Sequence, residues 1–286
     1  MPQPLSQEQL NESLQGIQIP PQPQILVDIT MEQVSPNPSL AGIAELIQQD
    51  MGLSGAILKI VNSAYFGLSN QIISVEHAVS ILGLNSVINI INGLALKSEL
   101  SDETIIEMNR FWDHASDLAL ISATVAKETG YPAADESYLL GLFHACGMPL
   151  MMTRFPGYPK IIEEAYSGKY ERIIDLENER FNTNHAVLGF YTAKSWRLPK
   201  HICDLIAEQY NLKAIQKWRE SYDGHRKTLL AILKMALEIN ESHKKLGGKS
   251  AKNIEWENYG EEILEYMGLS HYDFETLKDN ILELAG

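Results

Sequence analysis

Apolar residues recur every three or four positions along most of this chain, and one-for-one alternation with polar residues is rare. That period belongs to helices that bury one face rather than to half-buried strands, so the pattern predicts an all-α fold. "NPSLAGIAELIQQD" (37–50) reads as a helix, with Asn37 placed to cap it and Pro38 suited to its first position. "LSGAILKIVNSAYFG" (53–67) reads as the next, ended by Gly67. Ser74 can cap "VEHAVSILGL", and Asn85 can cap "SVINIINGLALKSEL". Short breaks between these four helices suit a compact bundle. Upstream, "IPPQPQ" (19–24) is expected to be extended, because each proline fixes its own φ and pushes its predecessor out of the α region. Residues 1–16 read as a loose tail or a short lead helix.

The helices lengthen in the second half. Thr104 to Glu128 predicts one long helix halted by "TGYP", and Asp135 to about Thr153 a second. After "RFPGYP" come helices near 157–166, 171–182, 185–196 and 199–212. The closing segments near 225–244, 254–267 and 271–285 are helical by period, with "KKLGGKSAKN" read as a flexible surface loop. No internal repeat is found.

A length of 286 residues allows one or two domains at ~100–200 residues each. The formal net charge of −14 argues against nucleic acid or an anionic membrane as partner, because phosphate contacts need clustered Lys and Arg. Lys59 is the first basic residue and Lys97 the second, so the N-terminal third has no footprint for a polyanion. No stretch reaches the ~18 apolar residues of a membrane span. The polar N-terminus lacks the basic-then-apolar order of a signal peptide, and a cytoplasmic protein is expected. Cys146 and Cys203 form no CxxC pair and read as buried thiols.

The candidate chemistry lies in the eight histidines. His77, His201, His225, His243 and His271 sit near helix ends or charged faces and read as surface or capping residues. His114, His144 and His185 each stand on a helix beside apolar neighbours. A lone histidine of this kind is usually a hydrogen-bonded core residue; three on separate helices are more suggestive, but their spacing does not show that they converge. Cys146 and Cys203 stand two residues from His144 and His201, so on a helix each pair points in different directions and makes no nucleophile–base contact. Asn62 and Ser63, with Tyr65 and Gly67, form a polar interruption that either binds a partner or holds a helix junction. The junction is the favoured reading, since buried polar groups are normally satisfied.

The block "QDMGLSGAILKIVNSAYFGLSNQIISVEHAVSILGLNSVINIINGLAL" (49–96) closely resembles the N-terminal signature of the HDOD family, a bacterial regulatory offshoot of the HD phosphohydrolase superfamily. The points of match are Pro20, Pro21, Pro23, Asp50, Leu53, "VNSAYFG", Ile73, Ala78 and "ILGLNSV". "FWDHASDLALISATVAKETG", "YLLGLFHACGMPLM" and "NHAVLGFYTAKSWRLPKHI" are similar to the family too, and the likeness covers about 17–215. Met51 departs from it, standing where the family usually has proline. The resemblance implies a multi-helix HD-like bundle with an N-terminal helical HDOD subdomain. Its parts are a tail (1–16), an HDOD domain (17–215, divided into 17–105 and a degenerate HD-like 106–215) and closing helices (216–286).

Active HD enzymes hold a divalent metal with a histidine, a His-Asp pair and a final aspartate, and the metal activates water on a phosphate ester. By resemblance His114 takes the first position and His144 the second, but Ala145 replaces the aspartate of the pair and Leu237 aligns with the last one. Glu238 is one step out of register. His185 matches a ligand of two-metal relatives, whose consecutive histidines would fall near Gln209 and Tyr210 here. Hard ions want oxygen ligands, so no metal or other cofactor is expected; three imidazoles alone would suit Zn²⁺ or Ni²⁺ better than Mg²⁺ or Mn²⁺. "GYP" (157–159) spells the name of a cyclic-di-GMP phosphodiesterase class but stands too early in the chain and reads as a turn. The expected function is therefore non-catalytic: a regulator acting through contacts with signalling proteins such as a kinase, a response regulator or a cyclic-di-GMP enzyme. The alternatives are a metal-dependent phosphohydrolase using His114, His144 and His185, or a metal or ligand sensor in the same pocket.

Overall fold

The structure is a computed structural model that describes residues 24–36, 38–49, 51–62, 68, 72–84, 86–88, 90–91, 105–195, 198–212 and 224–285. These fall into two compact units, one within Pro20–Glu103 and one within Thr104–Leu282. The fold is all-α, with no strand among the described residues.

The N-terminal unit contains α1 (Gln24–Gln33), α2 (Leu40–Gln48), α3 (Met51–Val61) and α4 (Val75–Leu82). α2 packs on α1, α3 and α4, and α3 also packs on α4. Their apolar spacing supplies the core: Ile43 and Ile47 from α2, Leu53, Ile57 and Val61 from α3, Ala78, Val79 and Leu82 from α4. α1 was not legible as a helix, and it begins at the end of the segment expected to be extended; residues 19–23 of that segment lie outside the described residues. Ser39, not Asn37, caps α2. Ser39 is extended (φ −128°, ψ 135°) and its hydroxyl accepts from the Gly42 amide at 2.8 Å. Its own amide donates to Glu32 at 3.3 Å, which fixes the N-cap one residue past Pro38. Ser74 caps α4 as expected, accepting from the His77 amide.

α3 stops at Val61, well before Gly67, because Asn62 takes over the backbone bonding. Its amide nitrogen donates to Leu58 O at 2.8 Å and Ile72 O at 2.7 Å, and its oxygen accepts from the Ile72 amide at 2.7 Å. The side chain thus imitates one rung of backbone pairing and pins residue 72 to the end of α3. Ser63, Tyr65 and Gly67 lie outside the described residues.

The second unit begins with α5 (Ile105–Glu128) and continues through α6 (Ala134–Phe143), α7 (Met148–Arg154), α8 (Tyr158–Ala165), α9 (Ile173–Phe181), α10 (His185–Ser195) and α11 (Lys200–Glu208). It closes with α12 (Gly224–Ile239), α13 (Ser242–Gly247), α14 (Ile254–Met267) and α15 (His271–Ala285). α5 and α6 pack side by side, α12 packs on both, and α10 packs on α7 and α11. Leu118, Val125, Phe143, Leu188, Ile206 and Ile232 fill the space between them, all with no exposed surface.

Two long helices expected from the period are each broken. The 135–153 segment divides into α6 and α7 because Gly147 lies against α10: a Cβ there would stand 2.0 Å from His185 O and 2.7 Å from Gly189 N. Pro149, in the first turn of α7, has no amide with which to continue α6. The 225–244 segment ends at Ile239, and the chain turns at Glu241 in the left-handed region (φ 49°). α13 then takes up part of the supposed flexible loop, its Lys244 and Lys245 amides donating to Glu241 O. No helix of the described residues is long and apolar enough to cross a membrane.

Candidate functional site

The "GLFHACG" stretch lies where helix backbones touch. Gly141 is pressed on α5, where a Cβ would meet Ser122 Oγ at 2.6 Å and Ala119 Cα at 3.0 Å; Gly147 is pressed on α10. Between these two close approaches α6 runs out, and His144 is its C-terminal capping residue. The glycines are there for contact distance, not for phosphate binding.

His144 is buried, and its Nδ1–H donates to Gly141 O at 2.7 Å. A carbonyl only accepts, so a proton sits on Nδ1. Burial drives its pKa down to about 3; the Gly141 bond pulls the other way, and charge on His114, His185 and Lys234 adds to the lowering by less. His114, on α5, is also buried; Asn240 donates to its Nδ1 at 3.3 Å and its Nε2 has no partner. Burial, then the Lys245 ammonium, lowers its pKa to about 4.

His185 is fully engaged. Its Nδ1–H donates to the Glu177 carboxylate at 2.8 Å, its amide donates to Glu177 Oε2 at 3.0 Å, and Tyr210 Oη lies 3.0 Å from its Nε2. Glu177, on α9, has no exposed surface and also accepts from the Tyr158 hydroxyl. Burial first, and then the Glu177 charge, holds the Tyr158 hydroxyl well above its ordinary pKa. The carboxylate, the two tyrosines and His185 form one buried network with both imidazole nitrogens occupied. Glu177 escaped notice in the sequence because it sits among charged residues in "DLENER"; only its place on the inward face of α9 separates it from them.

Ala145, which the resemblance aligns with the aspartate of the HD pair, presents a buried methyl group. Leu237 lines a small cavity of about 40 Å³ shared with His144, Tyr210, Lys234 and Glu255. Glu238 does not reach back to substitute for it and instead accepts from Asn253 at 2.8 Å. Gln209 is buried and donates to His144 O at 2.6 Å, so it serves the backbone of the step. Lys234, one turn before Leu237 on α12, is 3% exposed. Its ammonium lies 2.6 Å from Glu255 Oε2 and 4.7 Å above the Tyr210 ring. Burial raises the Glu255 pKa, and the Lys234 charge opposes that rise.

The donor set does not fit a hard divalent metal. Both carboxylates of the HD pattern are hydrocarbon here, His185 spends both nitrogens on protein partners, and a buried ammonium already stands beside His144. His114, His144 and His185 are brought into one region, close enough to act on His144 electrostatically. Their nitrogens do not form a compact ligand set. Among the described residues, the one trio of His, Cys, Asp or Glu ligand atoms within 4.8 Å of one another is Glu136, His201 and His225. His201 and His225 stand part-exposed at helix starts, as expected, and each imidazole also meets a carboxylate from another helix. The surface or capping reading of His243 is corrected, since it is buried. Cys146 and Cys203 are free and buried as expected, and burial pushes both thiols up, Cys203 to about 11.

Comparison with known proteins identifies the family and the fold. The sequence profile of the HDOD domain matches residues 19–212. An uncharacterized protein of Treponema pallidum (strain Nichols) is 29% identical over 198 residues, 68% of this chain and 38% of the relative. The uncharacterized protein YuxH of Bacillus subtilis (strain 168) is 28% identical over 125 residues, 42% of this chain and 28% of the relative. The chain therefore spans less than half the length of these curated relatives. Among solved structures, an HDOD domain protein of unknown function from Geobacter sulfurreducens has a TM-score of 0.66 at 22% identity, covering 97% of this chain and 95% of the other. A proposed phosphohydrolase from Shewanella amazonensis SB2B has a TM-score of 0.68 at 20% identity, covering 98% and 94%. A proposed signal transduction protein from Marinobacter aquaeolei VT8 has a TM-score of 0.65 at 19% identity, covering 97% and 62%.

Proposed function

From the premise that this chain belongs to the HDOD domain family, we propose that it is a regulatory protein that works through contacts with signalling proteins and does not hydrolyse phosphate esters. One observation carries the reading: the Lys234 ammonium, paired with Glu255, lies beside His144, and the carboxylates an HD metal needs are replaced by Ala145 and Leu237. A divalent ion there would meet a like charge in a low-dielectric setting, and the Glu255 carboxylate that lines the cavity is already paired with that charge. Size supports the same conclusion. A cavity of about 40 Å³ admits a few water molecules, whereas small-molecule sites run to about 300–1,000 Å³.

The partner would be a kinase, a response regulator or an enzyme of cyclic-di-GMP metabolism, which is what the family resemblance implies. The test has two arms. Purified protein given Mn²⁺, Mg²⁺ or Fe²⁺ should leave cyclic-di-GMP, nucleotides and an aryl phosphate intact, and affinity capture from the native bacterium should return a signalling protein. Turnover that disappears in His144→Ala would replace this reading with the second one. That is a metal-dependent phosphohydrolase, favoured by the clustering of His114, His144 and His185 and by the fold shared with the Shewanella protein.

A further inference from the structure

We propose that Glu136, His201 and His225 form a binding site for a divalent transition metal ion of the zinc class, separate from the His144 pocket and independent of the regulatory reading above.

The three residues come from different helices: Glu136 from the first turn of α6, His201 from the first turn of α11 and His225 from the first turn of α12. One oxygen does the gathering. Glu136 Oε2 lies 2.8 Å from His201 Nε2 and 2.7 Å from His225 Nε2, with the two imidazole rings 5.5 Å apart and tilted by 55°. Two imidazoles and a carboxylate are a donor set used for zinc, which leaves a fourth position for water. On a tetrahedral zinc with bonds near 2.0–2.1 Å, neighbouring donor atoms stand about 3.3 Å apart. Each N···O distance therefore needs to open by roughly half an ångström, within reach of the Glu136 side-chain torsions.

The surroundings suit that exchange. Without metal, each Nε2–H donates to the carboxylate. With metal, each Nε2 offers its lone pair and the ring proton moves to Nδ1. His225 has a partner for that proton: its Nδ1 is 2.5 Å from Tyr131 Oη, which also lies 3.3 Å from His225 O. The hydroxyl can donate to Nδ1 in one state, and accept from Nδ1–H while donating to the carbonyl in the other. The three helix N-termini oppose a cation, but that opposition is small beside three coordinate bonds. The side chains are 27%, 30% and 38% exposed, so an ion reaches the site without unfolding. Bound there, zinc would tie α6, α11 and α12 together at one end.

The test uses tag-free full-length protein stripped with chelator and dialysed against zinc, with elemental analysis of the product and cobalt(II) as a spectroscopic stand-in. One equivalent of zinc, visible absorption of low-coordinate cobalt and a higher thermal midpoint on loading are expected. Glu136→Gln and His201→Ala should lose the equivalent and the midpoint shift while keeping the helical circular dichroism of the native chain. Tyr131→Phe should weaken binding about 10- to 100-fold, the usual effect of removing the group that orients a ligand. His144→Leu should bind zinc as the native protein does. Failure of the native chain to take up zinc overturns the proposal. So does zinc retained by Glu136→Gln and His201→Ala, and zinc lost from His144→Leu would move the site to the other histidines. Glu136→Gln is nearly isosteric; if His201→Ala does not fold, Glu136→Gln and Tyr131→Phe still decide the question.

Discussion

Replacing His144 with leucine should change both the stability of the fold and the way that stability depends on pH. In the fold this imidazole is neutral, with its pKa lowered to about 3; in the unfolded chain it returns to about 6.5. A base with a depressed folded pKa leaves stability intact above the unfolded value, and stability is lost as pH falls below 6.5, because the unfolded chain then binds the extra proton. At pH 5 the unfolded histidine is 1.5 units below its pKa, and at ~1.4 kcal/mol per unit the loss is about 2 kcal/mol. That figure depends little on the folded value so long as it stays well below 5. Leucine removes the titration and also removes the bond to Gly141 O, which costs ~1–3 kcal/mol if that carbonyl is left without a partner. The variant should thus be about 1–3 kcal/mol less stable at pH 8, and the gap should shrink by about 2 kcal/mol at pH 5. Urea unfolding of both proteins at pH 8, 7, 6 and 5, followed by circular dichroism, measures the difference directly. His114, lowered to about 4, titrates in the same sense in both proteins and cancels in the comparison. A gap that stays constant from pH 8 to pH 5 would refute the reasoning, because it would mean that His144 is not held neutral by burial.

Gly147→Ala should be severe, since the new Cβ meets backbone atoms of His185 and Gly189 that cannot swing aside; a loss of 3 kcal/mol or more, beyond the usual ~1–3 kcal/mol of overpacking, is expected in urea titration. Glu177→Leu strands the Tyr158 hydroxyl, the His185 amide and its Nδ1–H in the core, and should cost about 3–5 kcal/mol, the range for breaking a buried charged partnership. Tyr158→Phe removes one donor to the same carboxylate and should cost only ~1–3 kcal/mol by the same assay. Asn62→Ala removes three hydrogen bonds and leaves Ile72 N–H and C=O to find others; a loss of ~1–3 kcal/mol, with faster hydrogen exchange at the Ile72 amide, is expected.

Helix content was legible because the three-to-four period is written directly in residue order, and Ser74 was legible as a cap because capping is local. The breaks were not. The division at 144–147 depends on α10 lying against Gly147, a contact between residues far apart in sequence, and Pro149 alone allowed either a kink or a stop. Asn37 and Ser39 were both chemically able to cap α2; Glu32, seven residues upstream of Ser39, settled the choice. In the site, the family likeness located His114, His144 and His185 and the missing carboxylates. It could not disclose Glu177, Lys234 or the Glu136–His201–His225 group. A charged residue on an inward face looks, in sequence, like one on an outward face, and these partners lie 65 and 89 positions apart.

The Lys234–Glu255 pair also limits how this pocket can change. An aspartate introduced at 237 would not by itself make a metal site, since it would stand one helical turn from a buried ammonium and pair with it. Removing Lys234 first would strand Glu255 as an unpaired buried carboxylate, at about 3–5 kcal/mol. Building a carboxylate ligand at 237 therefore needs Lys234 and Glu255 changed together with it. The ion pair acts as a ratchet: it ties three positions on two helices so that none of them changes freely alone.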